Sequence, residues 1–241
     1  TAKVTERLGS LDSAKAASLI ATHMHDLPTE FSDAAIKESE IAEPPVLSDG
    51  RVDLRDIPLV TIDGADARDF DDAVYVEPTA KGFKLLVAIA DVSTYVRPDY
   101  PLDKEAYNRG TSVYFPGKVI PMLPLELSNG ICSLNPNVDR LSMVCEMHIN
   151  KEGEIQSYEF YRGLMHSHAR ITYDEAWAYL ESGENTENWP DSVTESLENQ
   201  YQLYKLLQKE KEARGGIEFN SSDVFIEIGP QPVLANYVAE I

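Results

Sequence analysis

The stretch TIDGADARDFDDAV, Thr61–Val74, decides how this 241-residue chain is read. Asp63, Asp69, Asp71 and Asp72 fall within ten residues of one another there. Carboxylates packed this densely repel unless cations lie among them. On one flank Leu59, Val60 and Ile62 read as a buried strand arriving at Asp63. On the other, Ala73, Val74, Tyr75 and Val76 read as a strand leaving Asp72. The acids therefore lie where one strand ends and another begins, held by apolar structure on both sides. A metal site placed there can be rigid enough for chemistry. The alternative is a solvated acidic turn.

Hard oxygen donors with no neighbouring His or Cys favour Mg²⁺ or Mn²⁺ over Zn²⁺. An EF-hand Ca²⁺ loop needs Gly at its sixth position. Counted from Asp63 that position is Arg68, and counted from Asp66 it is Asp71. Mg²⁺ takes one or two protein carboxylates and completes its shell with water and phosphate. Four carboxylates thus suffice for two ions spaced for in-line displacement at phosphorus. Asp66, a further acid inside the run, reads as solvated.

The wording of the run resembles the catalytic signature of the ribonuclease II / ribonuclease R (RNB) family of exoribonucleases. The likeness takes in Gly50–Glu77, Val87–Met147 and HSHARITYDEA, His166–Ala176. Its most specific phrases are NRGTSVYFPGKVIPMLP and SLNPNVDRLSMVCEM, nearer the ribonuclease R branch. The resemblance implies an α+β fold, with a mixed, largely antiparallel sheet and flanking helices. It also implies that residues 49–241 are the N-terminal part of an RNB catalytic domain, and residues 1–48 the tail of a cold-shock (OB-like) domain with its linker. Pro44, Pro45 and the turn at Ser48–Gly50 mark that boundary.

Composition is that of a globular protein, with 43% hydrophobic and 26% charged residues. No apolar run reaches transmembrane length and the first residues lack a signal pattern, so a cytoplasmic setting is expected. Cys132 and Cys145 have no metal-ligand spacing and read as reduced thiols in apolar surroundings. The net charge of −20 argues against a nucleic-acid binder, since phosphate contacts need Lys and Arg. Thr79–Arg170, however, holds ten acids and ten bases, so the excess lies outside that central block.

Expected strands are Ala2–Leu8, Leu59–Ile62, Ala73–Val76, Phe83–Val92, Ser142–Ile149, Ile155–Leu164, Ile217–Phe219 and Val224–Ile228. Helices are expected at Ala14–His23, Ala34–Ile41, Tyr173–Leu180 and Val193–Arg214. The last carries Leu197, Tyr201, Tyr204 and Leu207 along one face and is stopped by Gly215 and Gly216.

The resemblance implies that Asp63, Asp69, Asp71 and Asp72 hold Mg²⁺ (or Mn²⁺) and position the attacking water. The ions would polarise phosphoryl oxygens and stabilise the leaving 3′-oxygen. Processive hydrolysis of single-stranded RNA would then release nucleoside 5′-monophosphates from the 3′ end. Tyr114 matches a ring that stacks on the terminal bases, and Phe219 its partner; core packing is the alternative for either. Phe115 reads as the core member beside Tyr114. Arg109 and Thr111 are candidate RNA-backbone contacts, with Gly110 allowing close approach. Arg140 reaches either a phosphate or Asp139, whereas His168 and Arg170 are as readily structural as catalytic. His148 reads as surface or core, and Lys209, Lys211 and Arg214 as helix-end charges.

After Ile228 the chain departs from the family pattern, without the acidic helix opening and the later arginine that assists at the scissile phosphate. An arginine facing developing negative charge is a large catalytic contributor, so this chain alone is expected to be weakly active or inactive. A non-catalytic RNA-binding or scaffold protein, and an acidic divalent-ion module, are the competing readings.

Overall fold

The computed structural model describes residues 14–48, 50–217, 222–224 and 238–240. In chain order its first elements are helices α1 (Ala14–Met24) and α2 (Asp33–Glu40), then strands β1 (Arg51–Asp53), β2 (Val60–Asp63), β3 (Asp72–Thr79) and β4 (Gly82–Ala90). Helix α3 (Pro101–Arg109) and strands β5 (Val113–Phe115) and β6 (Lys118–Ile120) follow. Next come β7 (Arg140–Asn150), β8 (Ile155–Met165), β9 (Ala169–Thr172), α4 (Tyr173–Ser182) and α5 (Asp191–Ala213). Short strands β10 (Ser222–Val224) and β11 (Val238–Glu240) pair with each other.

The chain forms two compact units, residues 39–97 with 125–217, and residues 1–38 with 98–124 and 218–241. The first contains a seven-stranded sheet in the order β1-β8-β7-β4-β3-β2-β9. Its five central strands pair antiparallel, and each edge strand, β1 and β9, pairs parallel. The mixed, largely antiparallel sheet expected from the sequence is what the chain forms. Gly82 opens β4 at φ +150°, where an added Cβ would lie 2.1 Å from the Ile149 carbonyl oxygen. Only glycine allows β4 and β7 to approach this closely.

Alternation along the strands gives the sheet two apolar faces. One carries Val60, Val76, Ile149, Ala169 and Ile171, packed against Ala176 and Tyr179 of α4 and Val193, Leu197 and Leu203 of α5. The other carries Ala73, Leu86, Ala88 and Val144, closed by Leu54, Leu59, Phe70 and Leu134 from connecting segments. Helix α4 starts in a capping box, with the Thr172 hydroxyl accepting from Glu175 N–H and the Glu175 carboxylate accepting from Thr172 N–H.

Several expectations need adjustment. Strand β4 stops at Ala90 because buried Asp91 turns the chain. Its carboxylate accepts from the Ser93 and Thr94 hydroxyls and from Arg51 (2.6 Å). The buried stripe of α5 runs through Val193, Leu197 and Leu203; Tyr204 is exposed and stacks on Tyr201 instead. Ala2–Leu8 and most of the strands expected at Ile217–Phe219 and Val224–Ile228 lie outside the described residues.

In the second unit, α3 begins with Pro101 at its first turn and ends at Gly110. Leu102 N–H donates to Glu38 (2.9 Å), and Ser32 N–H donates to Glu105 (2.9 Å). In the first unit both cysteines, Cys132 and Cys145, are free thiols, and burial pushes Cys132 up to about 12. Among the described residues, no helix is long and apolar enough to cross a membrane.

Candidate metal centre

Asp63 closes β2 and Asp72 opens β3, so the two strands fix the ends of the acidic run. Between them, Phe70 is buried in the sheet core while Asp71 and Asp72 on its far side are exposed. Burying the ring while leaving its neighbours at the surface turns the acids outward without letting the loop float. Asp66 is exposed, as a solvated acid would be.

The loop backbone is held from three directions. Arg170, on β9, donates through one Nη to the carbonyls of Gly64 (3.1 Å) and Ala65 (2.7 Å). Its guanidinium carbon lies 5.7 Å from the centre of the Phe70 ring. The Ser133 hydroxyl donates to the Arg68 carbonyl (3.0 Å) and accepts from Phe70 N–H (3.0 Å). Leu134 N–H reaches the Phe70 carbonyl (2.8 Å), and Ala90 N–H reaches the Asp71 carbonyl (2.9 Å).

Electrostatically the carboxylates crowd one another. Burial, then repulsion from Asp72 and Asp69, pushes Asp63 above the usual carboxylate range, with Arg170 opposing. Although Asp71 as a whole is exposed, partial loss of water around its carboxyl group, then Asp69, Asp63 and Asp72, does the same to it. Tyr173, at the start of α4, is also raised, by burial and by the negative charge of Asp63 and Asp72. Because β2 and β9 run parallel with Asp63 opposite Thr172, the N-terminus of α4 is level with Asp63. All four aspartates thus belong to one field of negative charge.

This donor set suits a hard divalent cation, being oxygen-only and mutually repelling, so bound positive charge would relieve the crowding. As they stand, no three His, Cys, Asp or Glu side chains among the described residues converge closely enough to hold an ion. The cluster supplies charge and donors rather than a finished coordination shell.

The other expected site residues lie in the second compact unit or outside the described residues. Tyr114 is on β5 of a two-stranded hairpin and is 64% exposed, whereas neighbouring Phe115, expected to be a core residue, is half-buried. Thr111 is exposed, and its hydroxyl donates to the Ser112 carbonyl (3.2 Å). Arg109, expected to face an RNA backbone, instead donates to the carbonyls of Pro28 (2.8 Å), Glu30 (2.7 Å) and Pro121 (3.2 Å). Its guanidinium also stacks 3.7 Å from the centre of the Phe31 ring, an internal tie between α3 and the 28–31 segment. Phe219 lies outside the described residues.

Arg140 does reach Asp139, through that residue's main-chain carbonyl rather than its carboxylate. It donates to the carbonyls of Ser133 (2.7 Å), Gly130 (3.1 Å) and Asp139 (2.8 Å), while the Asp139 carboxylate pairs with Arg55. His168 contacts the Arg55 carbonyl (2.9 Å), and His148 is exposed. Of the loop-holding groups, Arg170 makes structural contacts, one of the two roles its sequence context allows, and the role of Ser133 has no local sequence signal because its partners lie 63 and 65 residues away.

The RNB domain family matches residues 51–239. Ribonuclease R of Escherichia coli (strain K12) is 51% identical over 92% of this chain, which spans 28% of that relative's length. Ribonuclease R of Vibrio parahaemolyticus is 50% identical over 91%, with 27% of its length spanned. A structure of Mycoplasma genitalium RNase R in complex with double-stranded RNA superposes with a TM-score of 0.86 at 31% identity. That match covers 91% of this chain and 40% of that one. The chain therefore belongs to the RNB domain family, on its ribonuclease R branch.

Proposed function

We propose that this chain carries the metal-bearing part of a 3′→5′ exoribonuclease acting on single-stranded RNA. The observation that carries the reading is the field of four aspartates, two of them raised by burial and then by repulsion from their neighbours, on a loop held between strands. Asp63, Asp69, Asp71 and Asp72 are assigned as ligands for Mg²⁺, with Mn²⁺ as a substitute. A divalent cation held there supplies Lewis-acid charge at the phosphodiester. In each cycle water adds to phosphorus and the bond to the preceding 3′-oxygen breaks. A nucleoside 5′-monophosphate leaves, and the RNA is one nucleotide shorter with a free 3′-hydroxyl.

Tyr114 and Phe219 are assigned as rings that stack on the terminal bases. Stacking tolerates any sequence because every base offers a π-face, which suits processive RNA turnover in the cytoplasm. It also suits a chain of net charge −20, whose grip on RNA rests on bound cations and stacking rather than on a basic surface. Thr111 remains a candidate backbone contact. The domain assignment that accompanies this reading places a cold-shock-type tail and linker at 1–48 and the RNB part at 49–241.

The test is a single-turnover assay with protein in excess over 5′-labelled single-stranded RNA and Mg²⁺. Slow shortening from the 3′ end, abolished in Asp71→Asn, is expected. Binding without shortening would transfer the chain to the non-catalytic RNA-binding reading.

A further inference from the structure

We propose that Ser133 and Arg170 are positioning residues for the aspartate cluster, gripping the two ends of the 64–70 loop and so setting where its carboxylates can meet a cation. The inference rests on the metal-centre reading above and adds the parts that would make the centre work.

The Gly64, Ala65 and Arg68 carbonyls and the Phe70 N–H belong to a loop outside regular structure. Between main-chain atoms of the loop, the bond recorded among the described residues runs from Ala67 N–H to the Gly64 carbonyl (3.1 Å). The remaining main-chain polar groups named above are met by groups from outside the loop, which therefore help set its shape. Arg170 is delivered to one end by β9, whose parallel register sets it beside Thr61, two residues before Asp63. From there it bridges two successive carbonyls, 3.1 and 2.7 Å away. A single fixed donor group cannot do this unless those carbonyls turn towards it together, which fixes the direction in which the chain leaves Asp63.

Ser133 works at the other end. Its side chain is fully buried, and its one hydroxyl both donates to Arg68 and accepts from Phe70. It therefore spans Asp69, the residue between its two partners. Ser133 is itself fixed by Arg140, which draws in its carbonyl (2.7 Å) and that of Gly130 (3.1 Å). Arg140 thus stands behind Ser133 as Ser133 stands behind Asp69. Both grips fall on main-chain atoms, so the two residues position ligands rather than acting as ligands. Groups that orient metal ligands from behind typically change metal affinity by about 10–100-fold when removed.

The experiment measures Mn²⁺ affinity of the whole chain by the electron paramagnetic resonance signal of free Mn²⁺, independently of RNA hydrolysis. Ser133→Ala and Arg170→Gln are each expected to weaken Mn²⁺ binding roughly 10–100-fold. Arg170→Lys, which keeps the charge and can reach one carbonyl, should recover part of the loss. Leu203→Ala, in the core under α5 and 3% exposed, destabilises the fold without touching the loop and should leave Mn²⁺ affinity unchanged. Wild-type affinity in Ser133→Ala and Arg170→Gln, or an equal loss in Leu203→Ala, overturns the proposal. Should Ser133→Ala fail to fold, the two variants at half-buried Arg170 decide it alone. Asp71→Asn separates the two levels. If it loses Mn²⁺ while the positioning variants do not, only this inference falls; if it binds Mn²⁺ as wild type does, the metal-centre reading falls and takes the inference with it.

Discussion

Phe70 is the point at which the fold and the candidate site meet, and its truncation separates two ways of holding the aspartate loop. The ring is 6% exposed and packs with Leu54, Leu59, Ala73, Leu86, Leu134 and Met165. Truncation of a buried Phe to Ala removes its transfer free energy and leaves a cavity, at a combined cost of about 3–5 kcal/mol. For a chain of this size that corresponds to a fall of roughly 6–20 °C in Tm. The hydrogen bonds of the Phe70 peptide to Ser133 and Leu134 involve only the main chain and remain available to Ala. Phe70→Leu keeps an apolar anchor and should cost about 1 kcal/mol. Thermal denaturation followed by circular dichroism, with Mn²⁺ titration on the same samples, reads both consequences. The expected result is a large loss of Tm in Phe70→Ala, a small one in Phe70→Leu, and weakened Mn²⁺ binding that follows the same order. A Phe70→Ala protein within about 1 kcal/mol of wild type would refute the burial of this ring and the account of how the acids are turned outward.

Asp91→Ala should destabilise by about 3–5 kcal/mol, because it leaves the Arg51 guanidinium buried without its carboxylate. Although burial pushes the Asp91 carboxyl up, its hydrogen bonds from Arg51, Ser93 and Thr94 hold it below the usual carboxylate range. Its contribution is therefore present above the unfolded value of about 4 and is lost as pH falls through the lower folded value; urea melts at pH 7 and pH 3 should show the wild-type advantage over Asp91→Ala shrinking. Gly82→Ala forces a Cβ into the Ile149 carbonyl and should lose roughly 3 kcal/mol by chemical denaturation. Tyr114→Ala, at a 64% exposed ring, should weaken single-stranded RNA binding by about 1–3 kcal/mol, roughly 5–150-fold by fluorescence anisotropy.

The central sheet was legible because β3, β4 and β7 are long enough for an apolar pattern to show, and because the turn at Lys151–Gly153 marks β8 as the partner of β7. Edge strands β1 and β9 have three and four residues, too short for a period to stand out. Helix α3 buries only Leu102 and Ala106, so its hydrophobic stripe is faint despite Pro101 at the start and Gly110 at the end. In α5 the tyrosines stood in for the stripe that Val193, Leu197 and Leu203 form, because an aromatic ring reads as core in sequence whether or not it is buried. The aspartates announce themselves by type and spacing. What holds them does not, since Arg170 and Ser133 bind main-chain atoms, which every residue possesses and no sequence pattern marks. Arg109 shows the converse: a cation in a promising phrase, committed by the fold to carbonyls of Pro28, Glu30 and Pro121.

The most direct measurement follows Mn²⁺ occupancy and RNA shortening together as the metal is titrated into metal-free protein under single-turnover conditions. The account predicts that shortening from the 3′ end rises with occupancy, and that Asp69→Asn and Asp71→Asn lose both. Shortening that persists in EDTA, or Mn²⁺ binding left intact in both variants, would contradict it.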